Sequence, residues 1–280
     1  MFEQLLEGKA SVALSQLTFQ LQENVYSQWT EDYTICLVSF VNSILFHTLV
    51  YLVISPLISR TFKSYREGSE ETKIEWNSRM VSNVHAVLYV LLSCYCILIE
   101  NAFPTFSMDE ATKMSRFAVC YAGGYFLYDL VLIFRYPKLG GIAMWFHHGF
   151  VLFGILSIWY CDKYWVVLCY YSILEVSTPF VNARWFLLAC GLKESPFYFM
   201  NNVLIWLVFG MCRMPFVLFG PYLIYVNHDK MFQHSFYFAS ILYIQIANIS
   251  ILNVYWFGLM SKKMVETASS MLSSKAKKNL

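Results

Sequence analysis

The sequence is poor in charge. Only 14% of its 280 residues are Asp, Glu, Lys or Arg, and these nearly cancel to a formal net charge of +2. Soluble globular domains average about 25% charged residues, so this composition, which is 58% hydrophobic, excludes a water-soluble enzyme core and a disordered chain. The small net charge also excludes nucleic-acid binding through net charge. Lipid is therefore the expected solvent.

The sequence also lacks the short motifs of common cofactor sites. Its eight cysteines include no CxxC pair, and no glycine-rich phosphate loop is present. A redox motif and a zinc site are therefore not expected, and we predict no metal and no resident cofactor. An acidic leader precedes the first apolar run near residue 34, which is not the pattern of a cleaved signal peptide.

The sequence is rich in long apolar runs. Seven of them have the roughly 20 residues needed to cross a bilayer. They cover residues 34–58, 80–99, 117–134, 141–160, 164–190, 198–220 and 236–260. A backbone in hydrocarbon must satisfy its own hydrogen bonds, which unbroken runs of this length do as helices. The predicted fold class is all-α, a multi-pass helical membrane bundle of seven helices, or six if one weak helix is lost.

Basic residues predict the orientation, because cytoplasmic flanks carry an excess of Lys and Arg. They concentrate in the connection 59–79, in the turn 135–140 and in the tail after 261. This places the carboxyl terminus in the cytosol and the amino terminus outside or in a lumen. Lys277 and Lys278, close to the end, match a dilysine signal for the endoplasmic reticulum, with a generic basic flank as the alternative.

Several polar side chains fall inside the predicted helices. Ionisable groups at membrane depth are costly and usually mark function. His85, Asp129 and His147 each lie six residues, or about 9 Å, from a cytosolic span end. We predict a polar cavity open to the cytosol, and the other residues expected to line it are Thr178, Asn182, Arg184, Asn202 and Asn253.

The adjacent His147 and His148 are the main candidates for chemistry. Neighbours on a helix point about 100° apart, so we expect one imidazole in the cavity and the other bonded to a neighbouring helix. Asp129 would fix the tautomer of the first and leave its other nitrogen as a base or nucleophile. A purely structural role is the alternative. Arg213 is expected to extend to the membrane interface, and His47 and Gln245 are expected to form hydrogen bonds between helices.

Pro179 interrupts the fifth predicted helix. Proline removes one backbone donor and frees the carbonyl four residues earlier, here that of Glu175. The break either lines a cavity or is a packing kink in which Ser177 or Thr178 satisfies the backbone. Both interpretations stay open, as does a candidate catalytic role for Glu175.

These motifs carry a family resemblance. The Tyr128-Asp129 pair, the His147-His148 pair and the run from Leu174 to Trp185, LEVSTPFVNARW, are similar to the TLC domain shared by ceramide synthases and translocating-chain-associating membrane proteins. The resemblance covers roughly residues 70–265. It implies a domain division into a lumenal amphipathic leader (1–33), a first transmembrane helix with its cytosolic loop (34–69), the TLC domain (70–265) and a basic cytosolic tail (266–280).

In ceramide synthases the resemblance implies acyl-CoA-dependent amide formation at the paired histidines, in the membrane of the endoplasmic reticulum. The synthase pattern continues with a histidine-aspartate step and a further aspartate, whereas this chain has Leu174-Glu175 and Thr178. We therefore favour a protein that binds or handles acyl lipids and contributes to membrane lipid homeostasis. The alternative is an acyltransferase with acyl-CoA as co-substrate. Membrane lipids and acyl chains are the expected partners, and the sequence leaves open whether the chain forms a homo-oligomer.

Overall fold

The computed structural model describes residues 31–100 and 109–278, with side chains up to residue 266. Seven of its helices are long and apolar enough to cross a membrane. They are α1 (Glu31–Ser59), α2 (Glu70–Leu98), α3 (Lys113–Arg135), α4 (Gly141–Cys161), α5 (Trp165–Ala189), α6 (Pro196–His234) and α7 (Phe236–Lys278). The described residues contain no strand. The all-α membrane bundle is thus confirmed, with seven rather than six spans.

Three helices are much longer than the apolar runs predict, and the longest extension is that of α7, which continues to Lys278 although its run ends near residue 260. α2 begins at Glu70, ten residues before the expected start, where the Ser69 hydroxyl accepts a hydrogen bond from the Thr72 amide and caps the helix. α6 continues to His234, although the apolar run ends near residue 220. A helix can extend past the hydrocarbon because capping and helix-forming residues stabilise it there. Hydropathy does not detect this polar part of the helix.

α3 is the central helix of the bundle. Its most apolar window is 72% buried, against 22–39% in the other spans. Small residues let its neighbours approach: a Cβ added at Gly124 would lie 2.4 Å from the Phe40 carbonyl oxygen, and one at Gly123 would lie 2.9 Å from a methyl of Ile155. Close contact at these glycines packs α1 and α4 directly against α3.

α5 is broken before Pro179. A regular helix runs over Trp165–Tyr171, a 3₁₀ segment covers Ser172–Ser177, and a second α-helix covers Thr178–Ala189 with the proline in its first turn. The Ser177 hydroxyl donates to the carbonyl of Leu174. A hydroxyl thus satisfies a backbone carbonyl at the break, as expected for a packing kink. The break also places Glu175 and Thr178 at the edge of a cavity.

Interhelical hydrogen bonds join the spans at two predicted positions. His47 on α1 places Nε2 3.1 Å from the Tyr121 hydroxyl on α3. Gln245 on α7 donates to the Phe150 carbonyl on α4. The predicted bridging roles of these two polar side chains are confirmed.

The two ends of the bundle differ in charge. We call the end with the α1–α2 and α3–α4 connections the basic face, where Lys138 pairs with Glu71 at 2.7 Å. At the opposite end the cations pair with acids: Lys163 with Asp109 at 2.5 Å, and Arg116 with Asp162. Partial burial of Asp162 acts to raise the pKa of its carboxyl group. Hydrogen bonds from Arg116 and Trp165 outweigh this and lower the pKa below its usual value. Lys and Arg residues outnumber Asp and Glu residues at the basic face, whereas acids outnumber bases at the opposite end of the described bundle.

The amphipathic leader expected before residue 31 lies outside the described residues. The side chains of the dilysine-like end do so as well. Their predicted roles remain predictions.

Candidate functional site

A cavity of about 930 Å³ lies between α2 and α7 and reaches the basic face. We call it the polar cavity. Its lining includes seven of the residues predicted from sequence, namely Asp129, His147, His148, Glu175, Thr178, Asn182 and Arg184. Five basic and three acidic side chains border it. Helices distant in sequence therefore enclose one hydrophilic volume within the bundle.

His148 and Asp129 form a close contact between two buried ionisable groups in this lining. Nδ1 of the imidazole lies 2.8 Å from Oδ2 of the carboxylate, and both side chains are almost fully buried. The atoms are at ion-pair distance, although their alignment falls short of a hydrogen bond. The Phe126 ring packs edge-on against His148 at 5.2 Å and restricts its rotation. A carboxylate so placed favours a proton on Nδ1 and leaves Nε2 as the basic nitrogen.

His147 occupies a different side of the same cavity. Its ring packs edge-on against Trp256 of α7 at 5.5 Å, and its buried Nδ1 has no hydrogen-bond partner among the described residues. The expectation that only one imidazole would face the cavity is wrong, because the cavity is wide enough to contact both faces of α4. His148 faces α3, and His147 faces α7.

Glu175, Thr178 and Arg213 form a connected polar group. The Thr178 hydroxyl donates to Oε2 of Glu175 at 2.7 Å and lies 3.5 Å from Nη2 of Arg213. Nε of Arg213 donates to the Ser177 hydroxyl at 2.8 Å. The broken helix α5 thus supplies the hydroxyls that link a buried guanidinium to a carboxylate. The arrangement presents fixed positive and negative charge side by side in a low-dielectric site.

Arg213 corrects a prediction. We expected its side chain to reach the membrane interface, yet only 8% of it is exposed and it lines the cavity. The reason is the length of α6: the helix continues to His234, so Arg213 lies near its middle. The side chain is too short to bring its guanidinium to water from there, so the charge is stabilised inside the bundle instead.

Asn182 organises the cavity wall near the basic face. Its amide nitrogen donates to the Asn83 side chain at 2.7 Å, and its amide oxygen accepts from Arg79 at 3.1 Å. Arg79 is also paired with Glu75 at 2.7 Å and stacks over the Trp185 ring at 5.0 Å. This network fixes α2 against the second half of α5. Nε of Arg184, farther along that helix, donates to the Tyr198 hydroxyl at 3.3 Å.

A second, smaller cavity continues from the first toward the opposite end. We call it the apolar pocket; its volume is about 120 Å³, and aliphatic residues such as Val151, Ile155 and Leu223 line it. Asn253 borders it, so this predicted residue lies beside the apolar pocket rather than the polar cavity. Five residues line both volumes and so form their junction: Phe126, His147, Glu175, Arg213 and Trp256.

Two predicted residues lie away from both volumes. His85 is stacked on Tyr125 with ring centres 3.7 Å apart and is 1% exposed. It faces the middle of α3, where aromatic packing excludes any cavity. Asn202 also points elsewhere, while its neighbour Asn201 is buried and donates to the Phe180 carbonyl at 2.9 Å. Asn201 thus binds the second half of α5, and neither asparagine lines the polar cavity or the apolar pocket.

Sequence reasoning missed four contributors to the site: Arg79, Trp185, Arg213 and Trp256. Arg213 carried a usable signal, because an arginine in the middle of an apolar run is functional by default. Arg79 lay at an assumed span boundary, and the two tryptophans are indistinguishable from interfacial aromatics in a sequence. Within the part of the chain that the structure describes, no group of three His, Cys, Asp or Glu side chains could hold a metal ion.

Comparison with known proteins finds relatives over most of the chain. The chain is similar to TLC domain-containing protein 4 A of Dictyostelium discoideum, with 28% identity over 232 residues, 81% of this chain and 88% of the relative. It is 27% identical to human TLC domain-containing protein 4 over 245 residues, 84% and 91% of the two chains. It is 32% identical to TLC domain-containing protein 4-B of Xenopus laevis over 192 residues, 63% and 68% of the two chains.

The family model of the TLC domain matches residues 75–262, which include α2 from its second turn and all the cavity-lining helices that follow it. Helix α1 and its connection precede the match. The multi-pass membrane protein described above belongs to the TLC domain family.

Proposed function

We propose that this protein binds acyl lipids in the endoplasmic reticulum membrane and contributes to membrane lipid homeostasis. The observation that carries the proposal is the junction of the polar cavity with the apolar pocket at His147, Glu175 and Arg213. An acyl lipid has the matching division, a polar group joined to an apolar chain. Ligand sites are concave, largely apolar and provided with a few placed polar groups.

The charge of the polar cavity favours an anionic polar group. Arg79, Lys138, Arg184, Arg213 and Lys263 line it, against three acidic residues. A phosphate, a carboxylate or the phosphates of coenzyme A would be attracted to these cations and oriented by arginine forks. The group would enter from the basic face, which we assign to the cytosol from the distribution of Lys and Arg.

The apolar pocket would take the adjoining part of the acyl chain. Its walls are aliphatic and aromatic, so the chain would exchange lipid contacts for protein contacts at little cost. Arg213 and Glu175 at the junction would bind the polar atoms between headgroup and chain. The Lys277-Lys278 end supports residence in the endoplasmic reticulum.

Photocrosslinking tests this proposal. The full chain would be reconstituted in nanodiscs with a phospholipid carrying a diazirine on its acyl chain, and labelled peptides would be mapped by mass spectrometry. We expect labels on α4, α6 and α7 residues of the apolar pocket. Val151→Phe fills the pocket and should lower that labelling severalfold.

The matched control is Val131→Phe, the same change at a residue of α3 that is 60% exposed to the lipid side. It should leave labelling of the pocket unchanged. Equal pocket labelling in wild type and Val151→Phe, or labels confined to the outer surface of the bundle, would refute lipid binding at this site.

Acyl transfer is a second candidate, and the contact between His148 and Asp129 favours it. The imidazole would take a proton from an acceptor amine or hydroxyl. The acceptor would then attack the thioester carbonyl of acyl-CoA, the carbon–sulfur bond would break, and the proton would pass to the leaving thiolate.

The test of acyl transfer is the release of free coenzyme A thiol by purified protein. Acyl transfer requires turnover in the wild type and its loss, by at least 100-fold, in His148→Ala and Asp129→Asn. A protein that binds acyl-CoA but releases no thiol with any lipid acceptor contradicts acyl transfer and leaves the binding role standing.

A further inference from the structure

Four of the eight cysteines meet in pairs across helices. The thiol of Cys36 on α1 interacts with that of Cys120 on α3, and the thiol of Cys96 on α2 interacts with that of Cys169 on α5. All four are 0–1% exposed, and each pair is present as two free thiols.

Helices α1 and α3 are in direct backbone contact one turn away from the first pair. Cys36 and Cys120 lie one helical turn from Phe40 and Gly124, where this contact occurs. The Ser43 hydroxyl also donates to the Tyr121 carbonyl at 2.6 Å. Helix axes about 8–10 Å apart, with Cα atoms about 2.3 Å from each axis, place facing Cα atoms roughly 3.5–5.5 Å apart. Disulfides need about 4.4–6.8 Å.

The second pair lies in a comparable junction. The Tyr89 hydroxyl on α2 donates to the Leu168 carbonyl on α5 at 2.9 Å, which fixes the two helices beside Cys169. Sγ of Cys96 is 3.5 Å from the Thr112 hydroxyl at the start of α3. Hydrogen bonds on both sides thus hold this pair of thiols in register.

Both pairs lie toward the end of the bundle opposite the basic face. Cys36 and Cys120 lie within the first two turns of α1 and α3, which both begin at that end. Cys96 is two residues before the end of α2, and Cys169 is four residues into α5. In the orientation proposed above, this end faces the lumen of the endoplasmic reticulum, where disulfides form and persist.

We propose that Cys36–Cys120 and Cys96–Cys169 are disulfides in the mature protein. In each pair, two thiols lose two protons and two electrons as the sulfur–sulfur bond forms. The electrons pass through a mixed disulfide to the active-site disulfide of a lumenal dithiol–disulfide oxidoreductase, which leaves as a dithiol. Because the thiols are buried in the folded bundle, the exchange takes place before the helices close over them.

The first of these bonds has a structural consequence. Helix α1 precedes the family match at 75–262, and only 22% of its most apolar window is buried. A covalent bond from Cys36 to the central helix α3 would hold this peripheral span against the rest of the bundle. The inference rests on the proposed orientation and is independent of lipid binding.

Counting free thiols tests the proposal. The full chain in native membranes is quenched with acid, denatured in detergent and modified with a maleimide-linked polymer that shifts mobility once per thiol. We expect four modifications before reduction, at Cys94, Cys161, Cys190 and Cys212, and eight after reduction. Eight modifications before reduction would overturn the proposal.

Single substitutions identify the pairs. Cys36→Ser should release Cys120 and raise the count before reduction from four to five, and Cys96→Ser should do the same by releasing Cys169. The matched control Cys94→Ser removes an exposed thiol and should lower the count to three. A count of three with Cys36→Ser or Cys96→Ser would overturn that pair.

A measurement on the wild type covers the case in which a variant does not fold. Unreduced proteolytic digests should contain the Cys36 peptide linked to the Cys120 peptide and the Cys96 peptide linked to the Cys169 peptide. Recovery of these peptides only in unlinked form would refute both bonds. Failure here together with normal lipid crosslinking would leave the proposed lipid-binding function intact.

Discussion

The two adjacent imidazoles of α4 lie on different sides of the candidate site. His148 contacts Asp129 on α3, whereas His147 packs against Trp256 on α7 at the junction of the two cavities. Residue type and depth could be predicted from the sequence, since both follow from counting residues along helices. Side-chain direction could not, because the mean hydropathy of α4 is high on all its faces and leaves its rotation undefined.

Arg213 offers a test of the buried charge group. We expect Arg213→Met to lower the free energy of unfolding by about 1–3 kcal/mol, the cost of leaving buried polar groups without their partners. Its loss leaves Glu175 uncompensated and removes hydrogen bonds to Ser177 and Thr178. Thermal unfolding of the purified protein in detergent measures the change.

The double variant Arg213→Met/Glu175→Gln separates charge from packing. If the two charges stabilise each other, the double variant should be more stable than the sum of single effects predicts, by at least about 0.5 kcal/mol. Strict additivity would show that Arg213 acts through its hydroxyl partners alone.

The buried histidines of the core give a second residue-level prediction. His85 has no hydrogen-bond partner at either ring nitrogen among the described residues, whereas His47 contacts Tyr121 at 3.1 Å and the Ser43 carbonyl at 2.7 Å. Replacing an unsatisfied polar group by an apolar ring of similar shape is neutral or stabilising. His85→Phe should therefore keep or raise the melting temperature, while His47→Phe should lower stability by about 1–3 kcal/mol.

The same unfolding assay compares the two variants. A larger loss for His85→Phe than for His47→Phe would mean that His85 has an essential polar partner, such as a bound water or ligand. The stacking of His85 on Tyr125 would then be only part of its role.

At the scale of elements, glycines on α3 set the spacing of the bundle. Gly124→Ala would bring its Cβ to 2.4 Å from a backbone oxygen of α1 and 2.6 Å from the Cβ of Ser43. Backbone cannot move aside as a side chain can, so α1 must shift. We expect a loss of about 1–3 kcal/mol, as for other overpacked sites, together with weaker contact between Cys36 and Cys120.

Gly149→Ala is the matched control for that substitution. It makes the same change within helix α4, where an added Cβ meets nothing within 4 Å. Replacing a helical glycine without a clash should raise stability by about 0.5–1 kcal/mol. Unfolding temperatures that fall equally in both variants would contradict the close packing inferred at Gly124.

Helix number and order could be predicted from sequence, but helix ends could not. An apolar run indicates only the part of a helix that lies in hydrocarbon. Helices α2 and α6 continue beyond that part, where polar groups stabilise the helix. The consequence reaches the site, since Arg213 is central in a helix ending at His234 but peripheral in one ending near 220. The thiol pairs were also beyond sequence reasoning, because the partners lie on helices far apart along the chain.

At the scale of the whole molecule, the polar cavity opens at the end of the bundle that has the excess of positive charge. The polar cavity reaches the basic face, where Lys138 and Lys263 line it. At the opposite end Lys113, Arg116 and Lys163 are all paired with acids. Lys and Arg outnumber Asp and Glu at the basic face but not at the opposite end, so the described residues have the charge asymmetry that predicts the orientation.

This asymmetry predicts the topology of the protein in the membrane. In sealed microsomes a carboxyl-terminal epitope should be removed by added protease without detergent, because the basic face and the tail after α7 would both be cytosolic. A resident lumenal protein, protected in the same vesicles, controls for leakage. If the epitope stayed protected until detergent was added, the polar cavity would open to the lumen and all four paired cysteines would lie near the reducing cytosol. Both the cytosolic entry of an anionic lipid group and the two disulfides would then be lost together, since each depends on the same arrangement of charge.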